Sequence, residues 1–220
     1  MENARSVGRS MSGNEVKGNM RLCGDLHSTD LQNDTGCQGK RNNMKTLETP
    51  RLILREFVQE DFDALFAILS DPETMKHYPK PYDVAGVQRW LDWSFASYRD
   101  FGFGLWAAIL KETGGLIGDC GVTMQPIGGW IRPEIGYHVH KVYWRQGLGS
   151  EAARAVRDWA FQHTPFETLY SYMAKSNVAS QATALANGMR LIQEYVDEKN
   201  GKTSIYAITR KEWEEGSFTE

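Results

Sequence analysis

The chain has 220 residues, 41% of them hydrophobic, and a formal net charge of −3, enough for one core of ordinary size. That charge gives no footprint for nucleic acid or an anionic membrane, and no apolar run approaches the ~20 residues that a membrane span needs. Three cysteines, Cys23, Cys37 and Cys120, are an odd count without metal-ligand spacing, which predicts no disulfide framework, no metal site and a reducing, cytoplasmic setting.

Residues 1–43 are rich in Gly, Asn, Ser and charge and show no apolar period, so a disordered extension is expected there. Met44 is a candidate start for an ordered domain over residues 44–215, with a short tail at 216–220. Leu52, Leu54 and Phe57 suggest a first strand, since Pro50 excludes a helix running in from the tail. Val58, Phe62, Leu65, Phe66 and Leu69 mark a helix that Asp71-Pro72 ends. After the loop Tyr78-Pro79-Lys80-Pro81-Tyr82, a second helix carries the stripe Val84, Val87, Leu91, Phe95 and Tyr98. Trp90 and Trp93 lie off that stripe, where they either pack the helix edges or line a pocket. Strands follow at 105–110 and 116–124, joined by the turn Glu112-Thr113-Gly114-Gly115. Gly118 and Gly121 inside the second strand mark a bulge or a close backbone approach.

The stretch from Pro133 to Trp159 organises the rest. Ile135, Tyr137 and Val139 alternate with Gly136, His138 and His140, which fits a strand. Leu148, Ala152, Ala155, Val156, Trp159 and Ala160 recur at helical spacing. Between them runs Arg145-Gln146-Gly147-Leu148-Gly149-Ser150. Strand, glycine turn and helix leave the first helical N–H groups unpaired at the positive dipole end, a site suited to a phosphate. A dinucleotide fold would need a third glycine and an acid on the next strand, and an NTPase loop a lysine before Ser150; neither is present. Thr168 to Ala174 then reads as a strand, and Asn177 to Ser180 starts a short helix with the stripe Ala182, Leu185 and Ala186 and a stop at Gly188. Leu191 to Glu198 and Thr203 to Thr209 flank the hairpin signal Asn200-Gly201. The pattern predicts one α/β (α+β) domain with seven strands and about four helices.

Glu134-Ile135-Gly136-Tyr137, the aromatic Tyr143-Trp144 before the glycine turn, and Asn177-x-x-Ser180 followed by a helix ending at Gly188 together resemble the GNAT superfamily of acetyl-CoA-dependent N-acetyltransferases. The usual turn reads Arg or Gln, x, x, Gly, x, Gly or Ala. Trp144 takes its first position here, which looks like the branch containing ribosomal-protein-alanine N-acetyltransferases, and Met189 replaces a usual Phe. The resemblance implies a mixed seven-stranded sheet splayed between its fourth and fifth strands and acetyl-CoA as co-substrate. It places the pyrophosphate at Arg145, Gln146, Gly147, Leu148, Gly149 and Ser150, and the pantetheine arm against Tyr137, His138 and Val139, with a further contact at Asn177.

Acyl transfer from a thioester to an amine needs an uncharged nucleophile, oxyanion stabilisation and a proton for the thiolate. The resemblance puts an acidic residue beside the acceptor at Glu134, which otherwise reads as a solvated strand-start glutamate. His138 is of a residue type whose unperturbed pKa suits base work, but a lone histidine in a strand is more often a packed or surface residue. Ala184 stands where many members carry a tyrosine acid, so Ser180, at the position from which the ribosomal-protein branch is thought to protonate the sulfur, is the candidate acid; it reads equally as a helix cap. The implied activity is acetyl transfer to a protein N-terminal amine. Transfer to a small amine (an amino acid, a polyamine or an antibiotic) and a CoA-binding module without turnover are the alternatives, and a homodimer stays open.

Overall fold

The computed structural model describes residues 46–197 and 201–216. The predicted extension at 1–43, with Met44, and the Asn200 of the last hairpin lie outside the described residues. Thirteen elements follow in chain order. They are β1 (Thr46–Glu48), β2 (Leu52–Arg55), α1 (Phe62–Leu69), α2 (Val84–Phe101), β3 (Leu105–Leu110), β4 (Leu116–Ile127) and β5 (Trp130–Val139). After them come α3 (Leu148–His163), β6 (Thr168–Ala174), α4 (Val178–Ala186), β7 (Arg190–Asp197), β8 (Gly201–Thr209) and α5 (Arg210–Glu214).

The strands form one sheet in the order β1-β2-β3-β4-β5-β6-β8-β7. Every neighbouring pair is antiparallel except β5 and β6, which are parallel and share a single register pair, Glu134 with Tyr170. By contrast β4 and β5 stay paired through ten positions. The sheet therefore opens beyond Ile135, whose carbonyl accepts from the Ser171 hydroxyl at 2.8 Å.

Two apolar cores sit on opposite faces of the sheet. On β3, Trp106 and Ala108 pack toward Ala152, Ala153 and Val156 of α3, while Leu105 and Ala107 pack toward Leu65 and Leu69 of α1 and Val87 and Leu91 of α2. A strand covered on both faces reads as a continuous apolar run, and Leu105–Leu110 does. Each fully buried side chain of this size contributes roughly 1.5–3 kcal/mol. Asp83 caps α2 by accepting from Gly86 N–H at 2.7 Å, and Gly102 ends it at φ 72°. Among the described residues, no helix is long and apolar enough to cross a membrane.

The described residues form eight strands where seven were expected, and five α-helices where about four were. The additions are short. Strand β1 has three residues, too few to show a period of two, and Thr49 folds it back, its hydroxyl accepting from Leu52 N–H and its backbone N–H donating to the Leu52 carbonyl. Helix α5 has five residues, but its capping box Thr209 to Glu212 is a readable T-x-x-E signal. The predicted stripe on α4 is also corrected. Ala182, Leu185 and Ala186 face outward, Leu185 at 57% exposure, and the core side carries Ala184 and, just past the helix, Asn187. A small residue faces the core there because the Arg157 guanidinium crosses from α3 to donate to the Asn187 carbonyl at 2.8 Å. Gly118 and Gly121 are close-approach positions. A Cβ on Gly118 would stand 1.9 Å from the His138 carbonyl oxygen, and one on Gly121 2.0 Å from that of Gly104.

Candidate active site

The glycine turn is built by backbone conformations that few residues adopt. Gly147 takes φ +76° as the N-cap of α3, and Arg145 sits at φ 60° two positions before it. No side chain caps the first turn of α3, so its leading N–H groups point outward at the positive end of a 16-residue helix. At Gly149 a Cβ would stand 3.6 Å from Val139 Cγ2, an ordinary contact, so packing within the chain does not itself demand glycine there. The turn is tied to the start of β2. Arg51 donates to the Gln146 carbonyl at 2.8 Å and to Glu151 at 2.7 Å, and the Thr49 hydroxyl donates to Glu151 at 2.6 Å. Burial opposes ionisation of Glu151, but these hydrogen bonds outweigh it and hold the carboxyl below its ordinary pKa.

Trp144 has a defined task in place of the usual basic residue. Its indole N–H donates to the Val139 carbonyl at 2.6 Å, and the Lys76 ammonium lies 4.8 Å from its ring centroid. His138 N–H is likewise taken, by Asp119 Oδ1 at 3.0 Å. Two of the peptide groups expected to face a pantetheine arm thus have partners inside the protein.

Where β5 and β6 part, a cavity of about 430 Å³ opens. Of the residues singled out from sequence, Glu134, Tyr137, His138, Asn177 and Ser180 all border it, whereas Arg145 to Ser150 form the separate turn at the head of α3. Glu134 is half-buried and accepts from the Thr123 hydroxyl at 3.2 Å. The cap of α4 is Asn177, whose Oδ1 accepts from Ser180 N–H at 3.2 Å, so Ser180 receives the cap and does not supply it. The Ser180 hydroxyl donates to the Tyr137 hydroxyl at 3.1 Å, and that hydroxyl donates to the Ser180 carbonyl at 3.0 Å. Burial raises the Tyr137 pKa well above its ordinary value, so it stays a neutral phenol.

Sequence reasoning missed Asp119 and left Trp90 and Trp93 undecided, whereas Tyr78 and Tyr82 lie in the loop at 74–82 that it expects beside the acceptor without giving either residue a role. Asp119 on β4 is 1% exposed and stands opposite His138 in register. Its Oδ1 lies 2.8 Å from His138 Nδ1, and its Oδ2 accepts from Trp90 Nε1 at 3.2 Å. His138 Nε2 in turn lies 2.7 Å from the Tyr78 hydroxyl. The readable signal was an acid inside the apolar run of β4, because a buried charge persists only with partners. Trp90 and Trp93 line the cavity, packed edge to face with centroids 5.6 Å apart.

With this geometry in hand, three comparisons bear on it. The profile of the acetyltransferase (GNAT) domain matches residues 51–190. YkkB, an uncharacterized protein of Bacillus subtilis (strain 168), is 34% identical over 149 residues, 67% of this chain and 87% of its own length. The uncharacterized N-acetyltransferase p20 of Bacillus licheniformis is 30% identical over 175 residues, 76% of this chain and 96% of its own. Among solved structures, RimL, a ribosomal L7/L12 alpha-N-protein acetyltransferase in complex with coenzyme A, overlays with a TM-score of 0.63 at 15% identity. That overlay covers 75% of this chain and 98% of RimL, and is a likeness of fold.

Proposed function

The chain belongs to the GNAT family of N-acetyltransferases, and we propose that its acceptor is the N-terminal amine of a protein, received by Glu134 in the cavity between β5, β6 and α2. The observation that carries this reading is the half-buried Glu134 carboxylate on an aromatic-walled cavity, at the point where the sheet opens. Acetyl-CoA supplies the activated acetyl group when bound. The positive-φ Gly147 and the uncapped head of α3 form a cradle that fits a pyrophosphate. Arg145, Gln146, Leu148 and Ser150 complete that cradle, and Tyr137, His138, Val139 and Asn177 border the path of the pantetheine arm. Glu134 draws in the ammonium form of the acceptor and lowers the cost of leaving water. In this reading the Ser180 hydroxyl, which donates to Tyr137 here, turns its proton to the departing sulfur.

A second reading, a small-molecule amine, is favoured by the walls themselves. Tyr82, Trp90 and Trp93 pack edge to face at 5.5 and 5.6 Å, and about 430 Å³ suits a small ligand. Free-thiol release from acetyl-CoA, measured across N-terminal peptides and small amines with mass spectrometry of the product, separates the two. Acetylated peptide N-termini support the first reading and acetylated small amines alone the second. No amine-dependent thiol release contradicts both.

A further inference from the structure

We propose that Tyr78, His138 and Asp119 form a proton relay that takes the proton from the acceptor amine at the cavity wall, with Glu134 serving to attract the amine. This inference rests on the N-acetyltransferase reading and concerns residues that reading does not use. Its geometry is continuous: Asp119 Oδ1 to His138 Nδ1 is 2.8 Å, and His138 Nε2 to the Tyr78 hydroxyl is 2.7 Å. Asp119 is buried and accepts from two fixed donors, His138 N–H and Trp90 Nε1, and its Oδ1 faces His138 Nδ1. The relay requires the ring proton on Nδ1, so that Nε2 presents a lone pair to the Tyr78 hydroxyl.

Tyr78 belongs to the loop between α1 and α2 and lines the cavity with Glu134. Burial, with the Glu134 and Asp119 charges, raises its pKa well above the ordinary phenol value. It holds no standing negative charge, so it transfers a proton only by giving one as it receives one. The step balances on that basis. The acceptor N–H proton moves to Tyr78 Oη while the Tyr78 proton moves to His138 Nε2, leaving a neutral amine and an imidazolium held by Asp119. The stored proton leaves through the cavity when product departs. The charged and titratable groups around the relay and its cavity are Asp119 from β4, Glu134 and Tyr137 from β5, His77 and Tyr82 from the same loop as Tyr78, Arg89 from α2 and Tyr172 from β6. Tyr78 is the catalytic residue of the three, and His138 and Asp119 are positioning residues that act through it.

Two measurements on the full chain test the relay. Nitrogen-15 NMR of the His138 ring near neutral pH should show a neutral imidazole protonated on Nδ1, whether or not any acceptor has been found. Protonation on Nε2 would overturn the relay, and would leave the N-acetyltransferase reading intact. The second measurement is kcat/KM against pH for thiol release, with 2-phenylethylamine and an alanine-initiated peptide as probes. The acid limb should survive Glu134→Gln and vanish in His138→Gln. Tyr78→Phe keeps the ring against His138, so it should fold, bind acetyl-CoA as the parent does and lose on the order of 10²-fold in kcat/KM. An acid limb that follows Glu134 instead, or a Tyr78→Phe variant with parental kcat/KM, would also overturn it. If neither probe is acetylated, the fault lies with the proposed acceptors and the ring tautomer alone decides the relay.

Discussion

Glu134→Gln keeps the shape of the side chain and its acceptance from Thr123 while removing its charge. The variant should lose at least ~10²-fold in kcat/KM for the amine, because both capture of the ammonium and the proton-transfer environment depend on that charge. Unchanged kcat/KM from pH 6 to 9 would remove Glu134 from the site. Ser180 and Asn177 separate in the opposite way. Asn177→Ala removes the cap of α4, which costs about 1 kcal/mol and should lower the melting temperature by about 2–4 °C. Ser180→Ala should leave melting within that margin and slow turnover several-fold, the size of one neutral hydrogen bond of about 1 kcal/mol. A melting loss in Ser180→Ala with full turnover per folded molecule would refute this assignment. At this scale the sequence shows which residues are exceptional but not what they touch. Ser180 and Asn177 both read as caps, and only the Asn177 contact to Ser180 N–H separates them. Asp119 is exceptional as an acid inside an apolar run, but its role was not readable because its partner His138 lies 19 positions away and opposite in register.

The glycine turn is the element whose chemistry was most legible, since a strand, two glycines and an amphipathic helix dictate an exposed helix head without any tertiary information. Its anchoring was not legible, because Arg51 and Thr49 lie about 100 positions from Glu151. That anchoring has a pH signature. The folded pKa of Glu151 is depressed, so its contribution to stability is present above the unfolded carboxylate value and is lost as pH falls through the lower folded value. The melting-temperature gap between the parent and Glu151→Gln should be full at pH 7 and close below about pH 4, near the ordinary glutamate pKa. A gap that does not change with pH would mean that packing, not charge, anchors the turn. On α4 the apolar letters misled. Ala182, Leu185 and Ala186 are exposed while Ala184 is buried, and the end of that helix is seated by Ala184 and Met189 in the core together with the Arg157 bond to the Asn187 carbonyl. Serines caused the converse error on α2, where Ser94 and Ser97 are buried with hydroxyls returned to Trp90 O and Trp93 O.

For the whole molecule, the order of strands and helices was readable because each long element has its own period, and the apolar run of β3 signals a strand covered on both faces. The opening between β5 and β6 was not readable by period. It was implied by the resemblance, and the single shared register pair now accounts for it. The extension at 1–43 has no apolar pattern to bury, so we propose that a chain starting at Met44 melts with the full chain and binds acetyl-CoA equally well. A clear loss of either property on truncation would contradict that. The account as a whole claims one site with two separable halves, a cofactor turn at the head of α3 and an acceptor cavity at Glu134. Calorimetric titration of acetyl-CoA into Gly147→Val and Glu134→Gln tests it most directly. Valine at the φ +76° position should deform the turn and weaken binding more than about tenfold, whereas Glu134→Gln should bind as the parent does. Equal affinity in the two folded variants, or a loss confined to Glu134→Gln, would contradict it.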